Sequence, residues 1–175
     1  MFHVVLVQPE IPPNTGNVIR LCANSGCTLH LVRPLGFELT RKAVRRAGLD
    51  YAELAQVRVH ADLGGCFEAL GAARCFSIET GGRCAYGAAA FEPGDALIFG
   101  SETAGLPPAV LSQIPGARQL MIPMRPGNRS LNLANAVALV VYEAWRQQGF
   151  RGASAAGEVD LSEHAASHGD KRNLP

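Results

Sequence analysis

Residues 122–147 read IPMRPGNRSLNLANAVALVVYEAWRQ, and this stretch carries the clearest local pattern of the chain. Its first part is rich in proline and glycine, which predicts a loop over residues 124–129. Behind that loop, apolar side chains recur at the spacing of one helix face, at Leu133, Val137, Val140, Val141 and Ala144. The pattern therefore predicts the longest helix of the chain, over residues 131–148.

Short apolar runs alternate with helical patterns through the rest of the chain. Strands are predicted over residues 2–7, 28–32, 57–60, 74–78, 96–99 and 119–122. Helices are predicted over residues 17–25, 40–47, 62–70 and 108–113, and loops over residues 9–16 and 80–90. This alternation is typical of an α/β domain with a mostly parallel sheet flanked by helices. We predict one such domain over residues 1–150 and a flexible tail over residues 151–175.

The composition excludes several classes of protein. With 47% apolar and 18% charged residues, the 175-residue chain can form a core and is not intrinsically disordered. No apolar run approaches the roughly 18 residues of a membrane span. Because the formal net charge is only +1, any contact with nucleic acid needs a local basic patch. One helical face is predicted to carry such a patch, with Arg41, Lys42, Arg45 and Arg46.

The cysteines and histidines indicate the compartment and exclude one kind of site. Five scattered cysteines without a C-x-x-C pair, behind an N-terminus unlike a secretory signal, predict buried thiols in a reducing cytoplasm. No Cys/His pair has ligand spacing beside a second pair, so no metal site is predicted. His3, His30 and His60 stand singly in or near strands and are predicted to be structural.

Loops rich in glycine, proline and polar residues follow four of the predicted strands. They read PEIPPNTGN, ETGG, GSETAGLP and PMRPGNRSLNLAN. Ligands of open α/β sheets bind beyond the carboxyl ends of the strands, so we expect a ligand site where these loops meet. The chain has no G-x-G-x-x-G turn after a strand, no P-loop and no G-x-S-x-G elbow. Those absences disfavour a dinucleotide site, a phosphate-loop enzyme and a serine hydrolase.

Three segments together resemble the motifs of the SPOUT class of RNA 2′-O-methyltransferases, most closely its small TrmL (YibK-like) group. They are NTGNVIRLCANSG at residues 14–26, LIFGSETAGLP at residues 97–107, and the stretch at residues 122–147. The resemblance implies a fold with a C-terminal trefoil knot and a homodimer. It also implies methyl transfer from S-adenosylmethionine, without a metal, to the 2′-hydroxyl of the wobble cytidine or uridine in leucine tRNAs.

The resemblance also assigns roles to individual residues. It implies that Arg20 is the catalytic residue, although spacing alone fits a solvated helix arginine. Since a guanidinium does not give up its proton, we expect it to bind a phosphate and stabilise the developing alkoxide. Implied cofactor contacts are Ile78, Gly100, Ile122, Ser130, Leu131 and Asn135. Implied RNA-binding or active-site support residues are Asn14, Asn17, Arg129 and Tyr142.

Some of these positions also have plainer interpretations. Ile78 and Ile122 fit either a sandwich around an adenine ring or ordinary strand core. Asn17 and Ser130 are candidate helix caps, with or without a role in binding. The second motif departs from the nearest relatives at Ser101 and Ala104, which weakens the match to the exact subgroup.

The motifs leave other functions open. One is 2′-O-methylation of another RNA, because a minimal domain carries no dedicated specificity module. Another is a non-catalytic RNA-binding module, and a third is a nucleotide-binding enzyme of different chemistry. The absent phosphate loops disfavour the last of these.

Overall fold

The computed structural model describes residues 1–38, residue 54 and residues 56–154. The strands are β1 (His3–Val7), β2 (Thr28–Val32), β3 (Val57–His60), β4 (Cys75–Ile78), β5 (Cys84–Ala85), β6 (Ala96–Phe99) and β7 (Gln119–Met121). The helices in the described residues are α1 (Pro12–Ser25), α2 (Leu63–Leu70), α3 (Pro108–Leu111) and α4 (Leu133–Gln147). All six predicted strands are confirmed, and β5 is an addition within the predicted loop at residues 80–90.

Two predictions fall wholly or mostly outside the described residues. The helix over residues 40–47, with the basic face of Arg41, Lys42, Arg45 and Arg46, lies outside them. So does the tail after residue 154, while a turn over residues 148–152 follows α4. Within the described part of the chain, no helix combines the length and apolarity needed to cross a bilayer.

The seven strands form one sheet in the order β3-β2-β1-β6-β4-β7-β5, and every neighbouring pair is parallel. The predicted parallel α/β sheet is therefore confirmed. Because all strands run the same way, the carboxyl ends of the neighbours β6, β4 and β7 meet at one edge. The last strand, β7, lies between the two earlier strands β4 and β5. Such an insertion is compatible with a threaded chain, and the trefoil knot stays an expectation of the resemblance.

Helices cover both faces of the sheet because successive side chains of its strands point to opposite faces, and both sets are apolar. Val4 and Leu6 of β1 point into a core formed with α1 and α4, which includes Val18, Ile19, Val137, Val140 and Val141. Val5 and Val7 point the other way, into a core with α2 and α3 that includes Cys66, Leu70 and Val110. Strands direct alternate side chains to opposite faces of the sheet, and each helix places its apolar side chains on one face, so the helices pack as layers on either side of the sheet.

The first helix starts earlier than predicted, so the prediction of a loop over residues 9–16 is wrong for residues 12–16. α1 begins at Pro12, and Pro12 and Pro13 occupy its first turn. Proline fits there because the first N–H groups of a helix have no intrahelical acceptor and its φ is already helical. Asn17 is therefore an exposed residue inside α1 and not its cap. The predicted end at Gly26 is confirmed by a left-handed φ of 71°.

Side-chain caps start two of the other helices. Asp62, the first residue of the helix predicted over residues 62–70, caps α2, because its carboxylate accepts a 2.9 Å hydrogen bond from the Gly65 N–H. The cap of α4 is Asn132, whose Oδ1 accepts from the Asn135 N–H at 3.3 Å. The prediction that Ser130 caps this helix is wrong, because the helix begins two residues later than the apolar pattern suggested.

Candidate active site

A cavity of about 590 Å³ lies at the carboxyl ends of β4, β6 and β7, where the sequence predicted a ligand site. The loops after these strands and the start of α4 form its wall, and Ile11 and Asn14 close it from the side of α1. Its volume is in the range of small-molecule and cofactor sites.

The cavity brings together most of the residues implied as cofactor contacts. Its lining includes Ile78, Gly100, Ile122, Ser130 and Leu131. Asn135 is not among the lining residues, and its backbone N–H is used by the Asn132 cap. Ile78 is 7% exposed and belongs to the core as well as to the cavity wall, so its two interpretations are compatible.

The glycine at position 100 is required by its own loop. Residues 101–105 fold back over it, and the backbones of Ser101 and Gly105 exchange two hydrogen bonds of 3.3 and 3.0 Å. A Cβ on Gly100 would lie 2.0 Å from the Gly105 carbonyl carbon and 2.2 Å from the Leu106 nitrogen. The resemblance implies only that Gly100 contacts the cofactor. The structure adds a packing reason, because any side chain would displace the loop that forms the cavity wall.

Glu79 is a cavity residue that sequence reasoning did not single out. It follows β4, lines the cavity, and its carboxylate accepts a short hydrogen bond from the Leu106 N–H. Burial raises the pKa of this carboxyl, while hydrogen bonds from the Leu106 and Thr80 backbones act in the opposite direction. The signal was available in ETGG, a polar loop at a strand end. Glu79 gives the cavity an acceptor and a negative charge when it is ionised.

Glu102 and two asparagines join the three motif segments within one chain. The Glu102 carboxylate accepts hydrogen bonds from the Glu10 N–H (2.8 Å), the Ile11 N–H (3.2 Å) and the Asn14 side-chain amide (2.8 Å). Asn132 Nδ2 in turn donates to Asn14 Oδ1 at 2.9 Å. The start of α1, the loop after β6 and the cap of α4 are thereby tied around the cavity. Sequence reasoning placed Asn14 in a loop and did not identify Glu102.

The implied catalytic arginine does not line the cavity. Arg20 is exposed on α1 and is not among the residues that line the cavity. It is six positions after Asn14, which places it about 9 Å further along the helix axis. Within one chain, therefore, the cavity and Arg20 are not brought together.

The other residues implied for RNA contact or active-site support occupy different surfaces. Arg129 lines the cavity at its open side, where it is exposed. Asn17 is exposed on α1, and Tyr142 is 45% exposed on α4. The Tyr142 ring also packs edge-on against Trp145, with the ring centroids 5.6 Å apart.

The lining suits a nucleoside that carries a charged tail. Apolar walls from Ile78, Ile122 and Leu131 can enclose a planar ring, while backbone groups of the tight loops can pair with its edge. Glu79 offers a counter-charge to a cation. This donor and acceptor set fits S-adenosylmethionine, which combines an adenosine with a positive sulfonium.

Comparison with known proteins gives consistent results. Residues 1–142 match the profile of the SpoU rRNA Methylase family. The tRNA (cytidine(34)-2′-O)-methyltransferase of Burkholderia pseudomallei (strain 1106a) is 58% identical over 154 residues, which are 87% of this chain and 99% of that protein.

Solved structures show the same similarity. A structure described as giving insight into the 2-OH methylation of C/U34 on tRNA has a TM-score of 0.79 and 47% identity, over 86% of this chain and 98% of that one. The SpoU methyltransferase AviRb from Streptomyces viridochromogenes, in complex with AdoMet, has a TM-score of 0.73 and 25% identity. That match covers 83% of this chain and 57% of AviRb.

Proposed function

This chain belongs to the SpoU methylase family, and on that premise we propose that it methylates the ribose of the wobble cytidine or uridine in leucine tRNAs. S-adenosylmethionine is the methyl donor and the 2′-hydroxyl is the acceptor. The observation that carries the proposal is the 58% identity, over nearly the whole relative, to an enzyme named for 2′-O-methylation of cytidine 34 in tRNA. The cavity lined by residues of the three motifs supports it independently of the name.

The cofactor would occupy the cavity at the ends of β4, β6 and β7. S-adenosylmethionine supplies a methyl group activated by the positive sulfonium. The backbones at Ile78, Gly100, Ile122 and Ser130 would hold it, with apolar side chains excluding water. Leu131, which lines the cavity, is a secondary contact in this proposal, and the contact from Asn135, which lies outside the lining, rests on the resemblance alone. The AdoMet complex of AviRb, a family member with the same fold, supports this choice of ligand.

Arg20 would act on the RNA and not on the cofactor. Its guanidinium stays protonated, so it can bind a phosphate next to the reacting ribose and stabilise the negative charge that develops on the 2′-oxygen. Arg129, at the open side of the cavity, would contribute a second positive charge to the bound RNA. Asn14 would keep α1 in place through Glu102 and Asn132. Asn17 and Tyr142 would support the RNA-binding surface.

The separation of Arg20 from the cavity supports a homodimer in which each site uses residues of both protomers. α1 and α4 pack side by side. On α4 the neighbouring positions Leu139 and Tyr142 are 43% and 45% exposed, which leaves an apolar stripe uncovered. Pairing of two copies through this surface would cover the stripe and could bring Arg20 of one copy to the cavity of the other.

The domain boundary and the compartment complete the proposal. The catalytic domain would end near residue 150, where the Phe150 ring packs 5.5 Å from the Trp145 ring and the Trp145 indole N–H donates to the Arg151 carbonyl. Residues 151–175 would form a tail. A cytoplasmic location accords with a tRNA substrate and with cysteines that are all free in the structure.

A methyltransferase acting on another RNA is the second candidate, because the family profile is named for rRNA. The experiment that separates the two incubates the purified protein with labelled S-adenosylmethionine and, separately, with total tRNA and ribosomal RNA. Label in the tRNA fraction supports the proposal, and label only in ribosomal RNA supports the second candidate. Binding of RNA without any transfer would instead support a non-catalytic module.

A further inference from the structure

Three histidines form a hydrogen-bonded chain across β1, β2 and β3. His3 Nδ1 lies 3.1 Å from His30 Nε2, and His30 Nδ1 lies 2.9 Å from His60 Nε2. His30 is fully buried, whereas His60 is partly exposed at the end of β3. The three side chains lie on the sheet face covered by α2, and none of them lines the cavity described above.

Cys66 brings a thiol from α2 to this chain of imidazoles. One ligand atom from each of His30, His60 and Cys66 lies within 4.8 Å of the other two. Cys66 is buried on the inner face of its short helix, which the Asp62 cap holds in place. Two imidazole nitrogens and a sulfur therefore converge from three separate elements, with one side open toward solvent at His60.

We propose that His30, His60 and Cys66 form a binding site for a single Zn²⁺ ion, separate from the methyl-transfer site. Zinc is bound in proteins by imidazole nitrogen and thiolate sulfur, and three protein ligands leave a fourth position for water. Two nitrogens bound tetrahedrally to zinc at about 2.0–2.1 Å lie about 3.3 Å apart. To bind one ion, the 2.9 Å pair of His30 and His60 must open by a few tenths of an ångström, and both rings must turn from facing each other to facing the ion.

His3 gives the site the support that metal-bound histidines use. A ligating histidine usually donates its other ring N–H to a fixed acceptor, which orients the ring and sets its tautomer. His30 can donate from Nε2 to His3 Nδ1, which leaves its Nδ1 lone pair directed at the ion. Binding replaces the hydrogen bond between His30 and His60, His60 shifts its proton to its other nitrogen, and the Cys66 thiol releases its proton to the solvent.

The ligand atoms of the site favour zinc over hard cations, although one nearby charge opposes any cation. Arg58 is close enough to act electrostatically on all three histidines and opposes added positive charge. The Cys66 thiolate offsets one charge of the ion. No carboxylate belongs to the ligand set, and sulfur with imidazole is a poor environment for Mg²⁺ or Ca²⁺. Sequence spacing predicted no metal site, because ligands from three elements have no common motif.

Titration of the full-length protein with Co²⁺, after removal of metal by a chelator, tests the site. Cobalt replaces zinc in such sites and reports a thiolate ligand through a sulfur-to-metal charge-transfer band. We expect one Co²⁺ per chain with this band, displaced by one equivalent of Zn²⁺. Cys66→Ser should abolish the band, and His60→Gln should lower the affinity by at least about tenfold. Cys75→Ser, a neighbouring partly buried cysteine outside the ligand set, is the matched control and should keep the band.

A second measurement, of thermal stability with Zn²⁺, tests the site even if Cys66→Ser folds poorly. One equivalent of Zn²⁺ should raise the melting temperature of the wild type and of Cys75→Ser but not that of His60→Gln, whose side chain is partly exposed. Methyl transfer by His60→Gln should equal that of the wild type. The proposal is overturned if the wild type binds no Co²⁺, or if the charge-transfer band persists in Cys66→Ser.

Discussion

The Asn14 side-chain amide donates a 2.8 Å hydrogen bond to the carboxylate of Glu102, which lies in the loop after β6. The same carboxylate accepts from two backbone N–H groups just ahead of α1. The helix that carries Arg20 is thereby fixed to the wall of the cavity. Side chains and backbone from two distant motifs meet at one carboxylate, and this contact positions α1 relative to the cavity.

Glu102→Gln tests that contact. A glutamine side chain has only one acceptor oxygen for three donors, so at least one donor of the α1 entry loses its partner. We expect the unfolding free energy to fall by about 1–3 kcal/mol in urea titrations. Asn14→Ala should cost a similar amount, and the double variant should cost less than the sum, because both changes break the same bond. Additive losses would contradict a shared contact.

Gly100→Ala tests the loop that forms the cavity wall. The added methyl group would lie 2.0 Å from the Gly105 carbonyl carbon, so the loop over residues 101–105 must move. We expect a loss of about 1–3 kcal/mol in stability and loss of S-adenosylmethionine binding in calorimetry. Gly87→Ala is the control, because a Cβ there meets no atom within 4 Å. Normal cofactor affinity in Gly100→Ala would show that the loop does not shape the site.

Glu79→Gln tests the counter-charge in the cavity. The variant keeps an acceptor for the Leu106 N–H but removes the negative charge. We expect the substitution to weaken the binding of S-adenosylmethionine by about tenfold. The binding of S-adenosylhomocysteine, the product, should weaken much less because this molecule lacks the sulfonium charge. Calorimetry with the two ligands gives both affinities. Equal losses for the two ligands would mean that Glu79 does not face the sulfonium.

The same residue gives a prediction for pH. Because burial raises the pKa of Glu79 above 4.5, the folded protein holds this proton at pH values where the unfolded chain has lost it. Its contribution to stability therefore falls as pH rises through the folded pKa. Glu79→Gln should be more stable than the wild type at pH 7, and the difference should vanish as pH falls below 4.5. Urea unfolding across that range measures it.

Mixed dimers test whether Arg20 serves the partner's cavity. Arg20→Ala should abolish methyl transfer and leave the affinity for S-adenosylmethionine nearly unchanged. Arg20→Lys should have little more transfer activity than Arg20→Ala, because an ammonium lacks the planar fork of the guanidinium. Ile122→Trp should fill the cavity and also be inactive. Mixing the two inactive variants should restore transfer, since one pocket is intact and its arginine comes from the other copy. A mixture that stays inactive, while mixed dimers demonstrably form, would place Arg20 and the cavity in one chain.

Sequence patterns predicted the sheet well and the side-chain network poorly. The buried strands are short and uniformly apolar, so β1, β2 and β6 were identifiable from local pattern alone. The start of α1 was missed because two prolines and a glycine look like a loop, although proline is favoured in a first helical turn. Glu102 could not be identified because its partners are 88–92 positions away in the chain. The cluster of His30, His60 and Cys66 could not be predicted for the same reason, because its members are far apart in the sequence.

The most direct test of the proposed function is the position of the methyl group on a leucine tRNA. The purified protein is incubated with labelled S-adenosylmethionine and either the unmodified tRNA or the same tRNA with a 2′-deoxy nucleotide at position 34, and the nucleosides are separated by mass spectrometry. We predict one 2′-O-methylcytidine or 2′-O-methyluridine per unmodified tRNA and no product from the deoxy tRNA. Methylation of the deoxy tRNA, or no methylation of either, would contradict ribose methylation at the wobble position.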